Sequence, residues 1–288
     1  MTFILPGFDL ESFVRETLAE DLGEGLPGGG HDVTSASVIP EEARFSGVMD
    51  SRDAITVAGL PVARAFFQAL DPAARIEVLV GEGDTVAPGT DLMALTGQAR
   101  ALLTAERSAL NIVQHLSGIA TMTRDYVAAM RVGSATCTLL DTRKTLPGLR
   151  ALEKYAVLQG GGANHRMGLW DAAMIKDNHV AVAGSVGEAV RRARDAGVSP
   201  IICEVDRLDQ IEPALLAGAD HLLLDNMQPA MLAEAVRLVE GRAKTEASGG
   251  ITLETIAAKA ASGVDFCSVG RLTQSAPAAD IGLDFTPL

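Results

Sequence analysis

Apolar and polar positions follow two different rhythms along the chain. Residues 9–21 predict a helix, which runs into residues 23–30, too rich in glycine for regular structure. Strand-type runs follow at 44–49, 54–58, 76–80 and 91–96, with a helix at 61–70 between them. Gly81-Glu82-Gly83-Asp84 and Ala87-Pro88-Gly89 mark turns between short strands. Strands grouped with few helices describe an α+β layer. From 99 to 131, Leu102, Leu103, Leu110, Val113 and Leu116 recur at helical spacing, which predicts one or two long helices joining the two halves.

Beyond this point the pattern becomes a regular alternation. Short apolar runs at 137–140, 172–175, 201–205, 221–224, 244–247 and 266–269 read as buried strands. Amphipathic stretches at 186–195, 208–216, 230–239 and 253–261 separate most of them, the last with Thr252 as its expected N-cap. Alternating β and α elements with buried parallel strands form a doubly wound sheet or a β/α barrel. Roughly 160 residues are too few for eight units, which need about 250, so the expectation is a barrel with fewer or irregular strands.

Glu204, Asp225 and Glu246 recur at a constant interval near the ends of successive strand runs. The interval matches one β–α unit, so the three acids are expected at equivalent positions on neighbouring strands. Sites in such folds are built at the C-terminal strand ends. The alternative is that each acid caps the helix that follows.

Composition narrows the class. The chain has 288 residues, 48% hydrophobic and 21% charged, with a net charge of −13. It therefore has a sizeable core, and the negative balance argues against nucleic acid or an anionic membrane as partner. The charge is uneven: residues 99–176 carry 10 basic and 5 acidic side chains. Residues 1–13 have neither the basic nor the apolar region of a signal peptide, and no run is long enough to span a membrane. Cys137, Cys203 and Cys267 are well separated within apolar runs and read as buried thiols of a cytoplasmic protein.

The basic segment is also where the chemistry concentrates. Asp141-Thr142-Arg143-Lys144-Thr145 follows one strand, Gly160-Gly161-Gly162-Ala163-Asn164-His165-Arg166 contains a triple-glycine turn, and Lys176 ends another strand. Cations held at adjacent strand ends repel one another, so a shared anion best explains them, with Arg supplying a bidentate fork and Lys a point charge. Arg150 and Lys154, on an expected helix face, read instead as surface ion pairs. Ser248-Gly249-Gly250, with Gly270 after the next strand, lets backbone approach a phosphate. Glu204 and Asp225 offer the hard oxygen ligands that Mg²⁺ takes together with water and phosphate. Of the histidines, His115 and His221 read as structural and His165, beside Arg166, as the functional one.

These blocks, with Glu20-Asp21-Leu22-Gly23, Asp32-Val33-Thr34, Leu103-Thr104-Ala105-Glu106-Arg107, Leu116–Thr121, Lys176-Asp177-Asn178-His179 and Leu224-Asp225-Asn226, resemble quinolinate phosphoribosyltransferase over nearly the whole chain. The resemblance implies an α/β protein. It implies an N-terminal α/β sandwich domain of 1–113 and 273–288 and an incomplete α/β barrel of the seven-stranded type at 114–272. It implies a homodimer in which Arg107 enters the partner's site. It places quinolinate on Arg107, Arg143, Lys144, His165, Arg166 and Lys176. Phosphoribosyl pyrophosphate falls to Glu204, Asp225, Ser248, Gly249, Gly250 and Gly270, with Mg²⁺ on Glu204 and Asp225, and catalysis to Lys144, Glu204 and Asp225. Two positions depart from the family's usual pattern: Leu146, where Thr is common, and Gln274, where His is common.

Three other readings compete. A molybdenum-associated homologue shares the architecture, but the Arg143-Lys144, His165-Arg166 and Lys176–His179 blocks favour quinolinate. A Schiff-base lyase would use Lys176, and needs that amine desolvated. A carrier-like module could be read at 81–89, where no lysine stands to hold a prosthetic group.

Overall fold

A computed structural model describes residues 4–27 and 29–288. Residues 1–3 and Gly28, which belong to the leader reading and to the glycine-rich loop, lie outside the described residues. In chain order the elements are α1 (Leu10–Leu22), α2 (Val33–Val38), β1 (Arg44–Ser51), β2 (Ile55–Thr56), α3 (Leu60–Leu70), β3 (Arg75–Val78), β4 (Thr85–Val86), β5 (Thr90–Gln98) and α4 (Ala99–Gly133). There follow β6 (Thr138–Leu140), α5 (Arg150–Gln159), β7 (Ala173–Ile175), α6 (Asp177–Ala183), α7 (Val186–Asp195), β8 (Ile201–Val205), a 3₁₀ turn (Leu208–Gln210) and α8 (Ile211–Leu216). The chain closes with β9 (His221–Asp225), α9 (Pro229–Val239), β10 (Lys244–Ser248), α10 (Ile256–Ala260), β11 (Phe266–Ser268), α11 (Arg271–Gln274) and β12 (Ile281–Pro287).

The chain divides into two compact units. One contains Met1–Met122, Ala151–Gly160 and Ala276–Leu288; the other contains Thr123–Arg150 and Gly161–Ser275. The first carries an antiparallel sheet in the order β12-β1-β5-β3. The C-terminal strand β12 pairs with β1 along its length, from Phe45↔Pro287 to Ser51↔Ile281. Phe66 and Phe67 on α3 are fully buried in this unit. The segment read as a carrier-like hairpin is instead a structural brace. Glu82 accepts from the Gly59 and Leu60 amides at 2.7 and 2.9 Å and so caps α3, while Tyr155 donates to it at 2.6 Å.

The second unit is a parallel sheet of six strands in the order β6-β11-β10-β9-β8-β7. A single parallel bridge, Leu140↔Ala163, adds a seventh segment beside β6. Within this sheet Met174 of β7, Ile202 of β8 and Leu223 of β9 pack with Ala172 in a buried apolar cluster. No helix of the described residues is long and apolar enough to cross a membrane. All three cysteines are free and buried, and Cys137 Sγ lies 3.7 Å from Cys267 Sγ.

Several expectations are corrected. The spacing of Glu204, Asp225 and Glu246 does not place them at one level: both Glu204 and Glu246 pair with Leu223, and Asp225 lies two residues further along, opposite Ser248. The helix expected from Thr252 begins at Ile256, because Thr252 and Thr255 form a turn closed by the Thr252 amide on Thr255 Oγ1 at 2.9 Å. The stretch 208–216 is a 3₁₀ turn followed by a short helix. Helix α2 was not foreseen in a run of Val, Thr and Ser; Asp32 creates it by accepting from the Thr34 and Ser35 amides. Lys154 is fully buried, not a surface cation. Arg150 donates to Thr145 Oγ1 and to the Met167 carbonyl, tying two loops of the barrel unit together.

Candidate active site

Ends of the barrel strands converge on a cavity of about 800 Å³. Each strand stops where its apolar run stops, and the next residues turn toward this space. Past β6 come Thr142, Arg143 and Lys144; past the bridge at Ala163 come His165 and Arg166; past β7 comes Lys176. Glu204 from β8, Asp225 and Asn226 from β9, Ser248, Gly249 and Gly250 from β10, and Gly270, Arg271 and Gln274 past β11 complete the wall.

One side of the cavity is cationic. The Nε atoms of Arg143 and Arg166 are both buried without a hydrogen-bond partner. Burial pushes the Arg166 guanidinium below its ordinary value, and the charge of Arg143 adds to the effect. An anion placed there would relieve both costs. Arg166 is braced by its Nη1, which donates to the Ala172 carbonyl at 2.8 Å. Lys144 is held through its main chain, whose carbonyl accepts from Thr273 Oγ1 at 2.7 Å and whose amide donates to Thr142 Oγ1 at 3.1 Å.

The other side carries acids and glycines. Because Ile175 pairs with Cys203, Lys176 and Glu204 emerge side by side, with Nζ 3.3 Å from Oε2. Burial raises the Glu204 carboxyl, Lys176 opposes that shift, and the charges of Asp225 and Asp177 reinforce it. Asp225 Oδ2 accepts from Asn226 Nδ2 at 2.6 Å. Asn226 is left-handed, with φ 56°, and its amide donates to the Ser248 carbonyl at 2.9 Å. Gly249 packs against it so closely that a Cβ would stand 2.2 Å from Asn226 Oδ1. Ser248, Gly249, Gly250 and Gly270 form the adjoining part of the wall.

All the predicted barrel-unit site residues therefore line one cavity: Arg143, Lys144, His165, Arg166, Lys176, Glu204, Asp225, Ser248, Gly249, Gly250 and Gly270. Arg107 does not; it is exposed on α4 in the N-terminal unit. Asn226, Arg271, Thr142 and Glu246 line the cavity without having been chosen. Asn226 and Arg271 adjoin chosen residues, and the spacing had singled out Glu246 without giving it a role. Among the described residues no cluster of three or more His, Cys, Asp or Glu side chains is gathered for a metal. Glu204 and Asp225 supply two carboxylates, a donor set that suits Mg²⁺ when water and phosphate oxygens supply the rest.

Comparison with known proteins agrees with this geometry. Residues 32–117 match the model of the quinolinate phosphoribosyl transferase N-terminal domain, and residues 119–284 that of its C-terminal domain. The chain is 44% identical over 277 residues to a nicotinate-nucleotide pyrophosphorylase [carboxylating] of Mycobacterium leprae, covering 94% of this chain and 95% of that one. It is 40% identical over 279 residues to a probable enzyme of the same name from Bacillus subtilis, covering 96% and 93%. The crystal structure of NadC from Streptococcus pyogenes superposes with a TM-score of 0.92 at 36% identity, covering 99% of both chains. On its sequence, its two-unit fold and its cavity, the chain belongs to the quinolinate phosphoribosyl transferase family.

Proposed function

We propose that the chain transfers the phosphoribosyl group of phosphoribosyl pyrophosphate to quinolinate with loss of CO₂, giving nicotinate mononucleotide and pyrophosphate, a step of NAD biosynthesis in the cytoplasm. The observation that carries this reading is the pair of buried, unpartnered Nε atoms on Arg143 and Arg166. They create a site that gains from a compact dianion and would be costly without one. Lys176, with its ammonium on Glu204 and half its side chain exposed, is not the desolvated amine that a Schiff-base lyase requires.

Arg143, Arg166, Lys144 and Lys176 take the two carboxylates. The glycine turn at Ser248–Gly250, with Gly270, takes the 5′-phosphate on main-chain donors. The stem of Lys144 runs past Gly270, so its ammonium lies between the two anion sites and holds both substrates in register. The pyridine nitrogen then displaces pyrophosphate at C1 of the ribose. Glu204 and Asp225 face the ribose side of the cavity and stabilise the positive charge that develops there. Both would also hold Mg²⁺, which when bound neutralises pyrophosphate charge. As the 2-carboxylate leaves as CO₂, its bonding pair stays on C2, where the adjacent cationic ring nitrogen stabilises it, and a proton from water then takes the place of the carboxylate. A homodimer supplies Arg107 from the second subunit to the quinolinate end.

Calorimetric titration with quinolinate and with nicotinate, which lacks the 2-carboxylate, tests this reading. Quinolinate should bind at least about tenfold more tightly, because nicotinate leaves buried cations unpaired. Equal affinities would overturn it.

A further inference from the structure

We propose that His165 is a positioning residue for Arg166 and not a ligand of the substrate: Glu246 fixes its ring, and its Nδ1 holds the Arg166 main chain. The inference rests on the functional reading above, in which Arg166 binds a carboxylate of quinolinate.

Both ring nitrogens of His165 are engaged inside the protein. Nδ1 accepts from the Arg166 amide at 2.8 Å. A nitrogen that accepts carries no proton, so the ring proton sits on Nε2, which points at Glu246 Oε2 at 3.2 Å. The main chain is anchored as well, since the His165 amide donates to Asp141 Oδ1 at 2.8 Å. To bind a substrate carboxylate, the ring would have to give up one of these bonds. Only 6% of its side-chain surface is exposed.

Glu246 provides the other end of the chain. It is fully buried, at the level of Leu223 on the neighbouring strand. Burial alone would raise its carboxyl, but the two imidazoles against it, His165 and His221, outweigh that effect and lower it. His221 approaches the same oxygen from the other side, with Nε2 at 2.9 Å but outside the angular range of a hydrogen bond. The His221 ring stacks on Phe266 at 5.3 Å and lies 6.4 Å from that of His165. A carboxylate bracketed by two imidazoles thus sets the orientation and tautomer of His165. His165 in turn fixes the main chain of Arg166, while the Ala172 carbonyl fixes its guanidinium.

Two substitutions separate the roles, because an Asn side chain places its oxygen near the position of Nδ1 and a Gln side chain reaches the position of Nε2. If His165 acts through Nδ1, His165→Asn should keep quinolinate affinity within about threefold, and His165→Gln should lose about tenfold or more. The reverse order would overturn the proposal. In the full wild-type chain labelled with ¹⁵N and ¹³C, the His165 ring signal, assigned through backbone connectivity to Asn164 and Arg166, should show the neutral Nε2–H form at pH 7. It should keep that form when quinolinate saturates the protein. An Nδ1–H or doubly protonated ring, with or without quinolinate, would overturn the proposal even if neither variant folds. A wild-type chain that binds no quinolinate would overturn the functional reading, whereas the ring state of the ligand-free protein would still decide the hydrogen-bond chain.

Discussion

A Cβ added to Gly270 would stand 2.7 Å from Cδ of Lys144, so the glycine exists to let the lysine pass. Gly270 has φ −69°, so alanine strains no backbone there, and the flexible Lys144 stem can move aside. Gly270→Ala should therefore leave the melting temperature within a few degrees of wild type while displacing Lys144. A misplacement of about 1 Å in a group that orients a reaction costs on the order of a hundredfold, so kcat/KM should fall by about that factor. Steady-state kinetics beside a thermal melt check both halves.

Gly249 and Gly250 are adjacent, and both have positive φ, 85° and 60°. Only Gly249 is crowded, since nothing lies within 4 Å of a Cβ at Gly250. Gly250→Ala should cost about 1 kcal/mol of left-handed strain. Gly249→Ala adds a clash with Asn226 Oδ1 and must move the loop after β9 or the loop after β10, so it should cost distinctly more and weaken phosphoribosyl pyrophosphate binding. Urea unfolding of both variants tests the order, and equal losses would contradict it.

Lys176 opposes the rise that burial imposes on Glu204. Replacing Lys176 with methionine removes that opposition, so the Glu204 carboxyl should take up a proton at higher pH than in wild type. Any step that needs Glu204 ionised would then fail earlier as pH falls, moving the acid limb of the rate profile upward. A ¹³C titration of the Glu204 carboxyl checks the sign directly; a midpoint unchanged or lower would show that the ion pair does not form in solution.

Arg107 is exposed on the N-terminal unit, whereas Lys144 lines the barrel cavity. Arg107→Ala and Lys144→Ala should each be nearly inactive. Mixed under conditions that let subunits exchange, they should regain up to about a quarter of wild-type activity, because a heterodimer rebuilds one complete site. Exchange without recovery would show that Arg107 does not act in trans.

Much of this was legible along the chain. Strand β8 and helix α7 fall where the apolar run and the amphipathic face placed them, because a strand buried on both faces is uniformly apolar and a surface helix is one-sided. The cavity cations were visible because like charges at strand ends need a shared partner. What stayed hidden depends on neighbours distant in sequence. Leu223 pairs with Glu204 on one side and Glu246 on the other, so the β–α units flanking β9 differ in length, and the even spacing of the acids conceals it. Lys154 sits on a helix of ordinary charge pattern, and only tertiary packing buries it. His165 stood out beside Arg166 as a quinolinate ligand, but a sequence cannot show which atoms its two nitrogens meet. The net charge of −13 argues against nucleic acid and an anionic membrane, and leaves open the small anions that the cavity cations suit.

The most direct test is turnover of quinolinate labelled in its 2-carboxylate, with phosphoribosyl pyrophosphate and Mg²⁺. Labelled CO₂ and nicotinate mononucleotide should appear in equal amounts, and Arg166→Ala should abolish both. Absence of turnover by the folded, dimeric wild-type protein, or nucleotide formed without release of the label, would contradict the account.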